Sequence, residues 1–434
     1  MKKYLTVCIL LIILINTNLY SRSGWTFFKY NDLPVPGISF CIQSDYNGGV
    51  FLGTTGGLMK HNGYEWTKIY YNELNPMETY NKFNIRRITV MGGNVWASTN
   101  EGLIKFTGYD SKHYNVSNTP SMYNDKIRGI APDKYGNIWF VNHTLGIFKL
   151  DKSSDTVVYY SIPQSTPLPF SQDIPMFCDA YDNLWYSCAG KFVKFSEGNI
   201  KIIDETEIPE LKKDTVSSIQ IMSDNSIIVL MKRSIGNYKD YNGTITYNAI
   251  DIPSGLMNDN EYFSMVKVDL EGNCWILSRL YEGQGISSKY FYKYSKNKEW
   301  TKYEFPTFEG TTQNLYALTD FSIDEKGKVW FSDPYFGVFV FDSKTTSVKN
   351  AISMSSINIY PNPTSDYITI SFQTTDVLET SVVSKVQIFD MLGVEVMTES
   401  IHPMTSSHRM NISHLPRGVY FIQIGNYSEK FVKL

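Results

Sequence analysis

Apolar and polar positions alternate along most of the chain in runs of about five residues, separated by Asp, Asn and Gly. The segment "DKYGNIWFVNHTLGIFKL", Asp133 to Leu150, serves as a template: an Asp, a Gly-Asn turn, an apolar run led by Trp, a polar loop, a Gly and a second apolar run. Related segments start at Asp45, Met91, Asp179, Asp269 and Asp324, with a degenerate copy, "MSDNSIIVLM", from Met222. The residues at the shared apolar position are Phe51, Trp96, Trp139, Trp185, Ile228, Trp275 and Trp330, separated by 45, 43, 46, 43, 47 and 55 positions. Each interval has room for four short period-two segments, the last of the type "EWTKIYY" from Glu65. Four antiparallel strands every forty-odd residues is the spacing of a propeller blade, and period two argues against a helical repeat array. The pattern therefore predicts an all-β chain whose residues 24–349 form a seven-bladed β-propeller.

The recurring Asp and Gly suit a structural role. A short carboxylate accepts backbone N–H groups in a turn, glycine takes positive φ there, and the large aromatic fills space between neighbouring sheets. "WTFFKY" from Trp25 matches "WTKIYY" from Trp66 and "WTKYEF" from Trp300, both fourth strands by their place in the repeat. The sequence after Phe341 fades into "DSKTTSVKN". The first strand is thus expected to complete the last blade, removing two exposed edges at once.

After a linker at 350–356 the pattern changes. "INIYPNPTSDYITISF" places Pro361 and Pro363 between two alternating runs, where each removes a ladder donor and fixes φ. "DMLG" at Asp390 to Gly393 marks a hairpin, and "LPRGVYFIQI" from Leu415 leads into another strand. Six or seven short strands over 357–434 predict a small immunoglobulin-like β-sandwich.

The N-terminus, "MKKYLTVCILLIILINTNLYSRSGW", has two lysines, an apolar core and small residues at Ser21 and Ser23, the order of an export signal over residues 1–23. Its apolar core is about half the roughly 20 residues a membrane-spanning helix needs. A formal charge of -3 and a charged fraction of 19% give no general attraction to nucleic acid or anionic lipid, and the folded portion has no Lys/Arg cluster longer than a pair. Cys41, Cys178, Cys188 and Cys274 are too few for a disulfide scaffold. Cys178 and Cys188 are near enough in sequence to pair, and buried thiols fit equally well.

The repeats, best seen in "GNIWFVNHTLGIF" with Trp139 and Gly146, resemble the two-component-regulator propeller family. That resemblance implies the fold and a capacity for ligand recognition; the chain carries no kinase segment. The C-terminal region resembles the sorting domain of the type IX secretion system of Bacteroidetes. The motifs are "YPNP" (Tyr360, Pro361, Asn362, Pro363), "IFDMLGVEV" with Gly393, "LPRGVYFIQI" with Gly418 and Tyr420, and the terminal "KFVKL" with Lys430 and Lys433. This implies passage across the outer membrane by the type IX machinery, loss of the domain, and release or attachment at the cell surface.

Propeller ligands meet an end of the central channel, where loops of several blades converge. The loops after the Trp-bearing strands offer Asn100, Glu101, His143, Arg279, Tyr281, Glu282, Asp333 and Tyr335 as candidate ligand contacts. His61, His113 and His143, the histidines of the repeats, have no metal-ligand spacing, and no nucleophile elbow, Walker loop or dinucleotide loop is present, so neither a metal nor a cofactor is expected. Glu101 with Glu282 or Asp333 would serve as the carboxylates of a glycoside hydrolase, and His143, Tyr281 and Arg279 as a lyase set. Binding of an extracellular glycan or surface protein needs only shape and aromatic surface, which 31 Tyr and 25 Phe supply, and is the preferred expectation over a polysaccharide-processing enzyme or a purely structural protein.

Overall fold

In the computed structural model, the described residues are 24–434 apart from 36, 72–83, 109, 143–145, 164–172, 242, 283–284, 307–317, 345–353, 375–383, 391–393, 402–406 and 425–426. The expected export signal, His143 and Gly393 lie outside them. The chain divides into two compact units, one ending at Asp342 and one beginning at Ser343.

The first unit is a β-propeller. Among the described residues it holds seven antiparallel sheets of four main strands, in sequence order in all but the last, the sixth carrying an extra short strand, Gly285–Ser287. Their first strands are Ser39–Ser44, Arg87–Met91, Ile127–Pro132, Met176–Cys178, Val216–Ile221, Glu261–Val268 and Asp320–Ile323. Each lies against the next, and the last lies against the first, so the circuit closes around a central channel. The last sheet takes its fourth strand from the N-terminus: Trp25–Lys29 pairs antiparallel with Gly337–Phe341, Trp25 opposite Phe341 and Lys29 opposite Gly337. Trp25 packs edge-on to Phe291 at 5.7 Å and against Phe341 at 4.9 Å, joining the sixth and seventh sheets.

Most blades share all or part of a repeated group of side chains. Asp133 Oδ1 accepts the N–H groups of Tyr135 and Asn137 at 3.0 and 2.9 Å, and Oδ2 accepts the Asn137 amide at 2.8 Å and the Trp139 indole at 3.1 Å. Asp179 does the same for Asn183 and Trp185, and Asp269 for Asn273 and Trp275. Asp324 accepts the Trp330 indole at 2.9 Å. On the third strand, directly opposite the aromatic, a lysine lies over its ring: Lys60 over Phe51, Lys105 over Trp96, Lys149 over Trp139, Lys194 over Trp185 and Lys293 over Trp275, at 5.0 to 5.3 Å. The degenerate copy keeps the fold without this group. Ile228 stands between Gln220 and Asn237 in a strand, Ile227–Met231, that is buried throughout.

Cys178 and Cys188 are both free thiols. Cys178 is paired with Leu184 at one end of the strand Leu184–Cys188, and Cys188 is at its other end. Four residues of strand separate them by about 13 Å, well beyond disulfide reach.

The second unit has a sheet of three strands, Met354–Tyr360, Tyr367–Thr374 and Ser407–Asn411, and one of four, built from Ser384–Phe389, Glu395–Ile401, Gly418–Ile424 and Tyr427–Lys433. Ile368, Ile370 and Met410 of one sheet and Val386, Ile388, Ile422 and Phe431 of the other form a single core. The strand Met354–Tyr360 starts within the segment expected to be a linker.

Candidate functional site

The meander order of each blade brings the entry to its first strand and the exit from its second to the same end of the ring. From that mouth into the channel, charged side chains from five sheets form one network. Arg86 Nε lies 3.1 Å from Asp173 Oδ1, and Arg128 Nη1 lies 3.8 Å from the same oxygen. Arg87 donates through Nη2 to the Asp173 carbonyl at 3.3 Å and approaches Asp320 Oδ2 with Nη1 at 3.5 Å. Lys267 Nζ reaches the other Asp320 oxygen at 3.7 Å. Arg86 and Arg87 enter the second sheet, Arg128 belongs to the third, Asp173 precedes the fourth, Lys267 is in the sixth and Asp320 opens the seventh. Arg87 therefore bridges opposite sides of the circuit.

Backbone irregularities help to aim these groups. One-residue shifts in register at Ser39/Cys41 and Ile127/Gly129 set Phe40 and Arg128 out of their ladders, as bulges do where a side chain is redirected. The Arg86 guanidinium lies over the Phe40 ring, 4.3 Å from its centroid. Gly129 has no room for a side chain: a Cβ there would sit 2.6 Å from Met176 Sδ. Burial raises the Asp173 carboxyl above its ordinary range against the opposing pull of Arg86, Arg87 and Arg128, and burial lowers Arg128.

The residues expected at the mouth divide into three groups. Asn100 joins the network, accepting from Arg128 Nη1 at 3.0 Å, and Arg279 is beside it, with Nη2 at 3.5 Å from the Leu318 carbonyl, two residues before Asp320. Tyr281 and Tyr335 are exposed at 52% and 62%, and Tyr281 stacks on Tyr262 with centroids 5.0 Å apart. Glu101 is exposed and donates its backbone N–H to Thr99. Asp333, by contrast, is fully buried. Its Oδ1 accepts the N–H groups of Tyr335 and Phe336 at 2.8 and 2.9 Å, and its carbonyl accepts Ser39 Oγ at 2.7 Å, tying the last sheet to the first. Glu282 is within the strand Cys274–Glu282. His143 lies outside the described residues.

Sequence inspection of the loops after the Trp strands missed Arg86, Arg87, Arg128, Asp173, Lys267 and Asp320, all on first strands or their entries. The one available signal was the Arg86-Arg87 pair immediately before an apolar alternation. Among the described residues, no group of three His, Cys, Asp or Glu is placed to hold a metal.

In the second unit, the two ends of the sorting motif meet. Asn362 donates to the Lys430 carbonyl and accepts the Val432 N–H, both at 3.0 Å. Thr364 exchanges backbone bonds with the same terminal strand, donating to Val432 and accepting from Leu434 at 2.9 and 2.7 Å. Tyr420 Oη donates to the Pro416 carbonyl at 2.8 Å, and Lys433 is buried. Tyr360 is half exposed beside Pro361 and Pro363. Residues 358–434 match the family described as the secretion system C-terminal sorting domain. The chain ends in a type IX sorting domain. That domain directs export to the cell surface or beyond it, and no helix among the described residues is long and apolar enough to cross a membrane.

No curated protein matches the chain. Among solved structures, the extracellular domain of a hybrid two component system from Bacteroides thetaiotaomicron is similar at 15% identity and a TM-score of 0.55, covering 95% of this chain and 57% of that one. A streptogramin B lyase is similar at 14% identity and a TM-score of 0.52, covering 74% and 99%. YCF48 from Cyanidioschyzon merolae is similar at 13% identity and 0.51, covering 74% and 99%. The chain spans little more than half of the two-component domain, and at these identities the likeness establishes the propeller fold alone.

Proposed function

We propose that the propeller is a surface-displayed binding module that holds an extracellular glycan or protein at the channel mouth without transforming it. In this reading residues 1–23 are the export signal, 24–349 the cargo and 357–434 the address recognised by the type IX machinery. What supports it is a charged network drawn from five sheets, which Asn100 joins through Arg128 and which Arg279 adjoins at Leu318, together with the exposed rings of Tyr281 and Tyr335. Loops from separate blades are costly to assemble at one place, and a ring that does so offers a ready docking surface. An enzymatic reading finds less support. Asp333 is buried behind two backbone N–H groups, which removes it as the partner of Glu101, and Glu261 is spent on Tyr292, Ser278 and Asn258.

The test is to incubate the purified full chain with glycan and surface-protein panels while following binding and product formation together. Saturable binding with unchanged ligand, weakened by Tyr281→Ala, is the expected result. Turnover that disappears in Glu101→Gln would overturn it, and so would an absence of any binding.

A further inference from the structure

We propose a second site, apart from the mouth: the cavity between the second and third blades binds a small monocarboxylate, held by Asn94, Trp96 and Lys105. The cavity measures about 140 Å³ and is bounded by the turns at 91–94, 132–137 and 151–156 together with the strands they join. These turns lie at the end of the ring opposite the charged network and wholly within the described residues. Gly92, Lys152 and Asp155 at its rim are exposed, so solvent reaches it. The indole N–H of Trp96, a residue only 5% exposed, is buried there without an acceptor among the described residues. A buried donor left unpaired costs about 1 to 3 kcal/mol, which a bound acceptor recovers.

The neighbouring blade shows which acceptor suits these donors. In the third blade Asp133 Oδ2 takes the Asn137 amide at 2.8 Å and the Trp139 indole at 3.1 Å, with Lys149 Nζ at 3.9 Å. Trp96 is held as Trp139 is: a lysine lies over each ring at 5.3 Å from the directly opposite position, and a tyrosine of the fourth strand, Tyr114 or Tyr160, packs on each. Its N–H is thus directed toward the 91–94 turn, the place where the third blade has its carboxylate. In the second blade that turn supplies none. Asn94 Nδ2 reaches only the Gly92 carbonyl, at 3.5 Å, the outer limit of a hydrogen bond. Lys105 has no ion pair among the described residues, whereas Lys60 and Lys149 each have the Asp of their own blade. The amide, the indole and the ammonium that surround Asp133 are therefore all repeated, and the carboxylate between them is not.

The rest of the cavity limits what accompanies the carboxylate. Met91, Ile138 and Leu150 line it with apolar surface, which suits a short alkyl group and offers the further oxygens of a phosphate or sulfate no partner. Its volume is close to the roughly 150 Å³ that accommodates benzene in an apolar protein cavity, so the tail is a few carbons at most. Two acidic residues stand at the rim, and both are engaged elsewhere. Asp151 accepts the N–H and hydroxyl groups of Ser153 and Ser154, and Asp155 is paired with Lys112 and accepts the Tyr114 hydroxyl. Their charges disfavour a dianion, while Lys105 and Lys152 balance a single negative charge.

The experiment follows the indole N–H signals of the full chain, labelled with ¹⁵N at tryptophan, during titration with acetate and propionate, with acetamide as the neutral isostere and chloride at matched ionic strength. One signal, missing in Trp96→Phe, should shift saturably with the two carboxylates and with neither control. Lys105→Gln should weaken that binding about tenfold, the effect of losing one charge-assisted contact. Urea denaturation gives a second readout: acetate should raise the midpoint of the parent beyond the rise in equimolar chloride or acetamide, and this excess should vanish in Trp96→Phe. Equal responses to acetate and acetamide, or to acetate and chloride, would overturn the proposal. So would the absence of a saturable shift, or an acetate response that persists undiminished in Lys105→Gln. Should Trp96→Phe fail to fold, Lys105→Gln, altered at a partly exposed position, assigns the site by itself.

Discussion

Met91 takes, opposite Asn94, the place that Asp133 takes opposite Asn137, and the indole N–H of Trp96 is buried with no acceptor among the described residues. The turn of the second blade is a short hairpin through Gly92 and Gly93, both at positive φ, and it carries no carboxylate. Replacing the thioether by a carboxylate should repair the blade, since Lys105 already lies over the Trp96 ring and would help to balance the charge. Met91→Asp is expected to stabilise the propeller by about 1 kcal/mol. Urea denaturation reads this as a rise in midpoint; an unchanged or lower midpoint would show that the short hairpin cannot present the carboxylate.

Trp139 packs on Tyr160 and Phe195, and its indole is bonded to Asp133. It is only 6% exposed, so Trp139→Ala should cost about 3 to 5 kcal/mol. Lys149, which touches the same ring from the solvent side at 5.3 Å, should cost only about 0.5 to 1 kcal/mol when truncated to Ala. Chemical denaturation of both variants checks the ratio, and a Trp139→Ala cost below about 1 kcal/mol would place the residue outside the core.

Burial raises the Asp333 carboxyl to about 6, against the partial compensation of the Tyr335 and Phe336 N–H groups. The unfolded chain releases that proton near pH 4, so between about pH 4 and 6 the folded state binds a proton that the unfolded state does not. Stability from this group is therefore greatest in acid and falls as pH rises through that window, by about 2 to 3 kcal/mol. Asp333→Asn keeps the Oδ1 acceptor and does not titrate. The stability of the variant relative to the parent should climb between pH 4 and 6 and then level off, measured by urea denaturation across the series. Parallel curves would show an ordinary carboxylate.

Removal of residues 343–434 should leave the propeller folded and stranded. Its core clusters lie wholly within residues 25–341, while the sorting motifs lie wholly beyond them. In a host with the type IX machinery, fractionation should find the truncated chain in the periplasm and the full chain at the surface or in the medium. Equal export of both would refute the sorting role.

The propeller was legible because its repeat is written in bulky residues at fixed spacing, and Trp25 announced its sheet through the same "WT" pair as Trp66 and Trp300. The lysines facing Phe51, Trp96, Trp139, Trp185 and Trp275 were present in the aligned copies, but a lone Lys in an alternating strand reads as an ordinary solvated residue until the partner strand fixes its register. The mouth was harder to see. Asn100 was found because it follows its Trp strand and Arg279 because it lies near the end of its own, whereas Arg87 and Asp320 meet only through closure of the ring and are far apart in the chain. The buried state of Asp333 was likewise hidden, because an Asp after a strand reads the same whether its carboxylate faces solvent or caps a turn beneath it.

The pairing of Trp25–Lys29 with Gly337–Phe341 also governs when the molecule becomes a molecule. Contacts between distant chain positions form late, after much chain entropy has been lost, and exposed strand edges invite wrong partners in the meantime. No circuit can shut until its last sheet has emerged to receive the first strand. Until then Trp25–Lys29 has no partner strand, and the arrival of Phe341 serves as the latch that ends the vulnerable period.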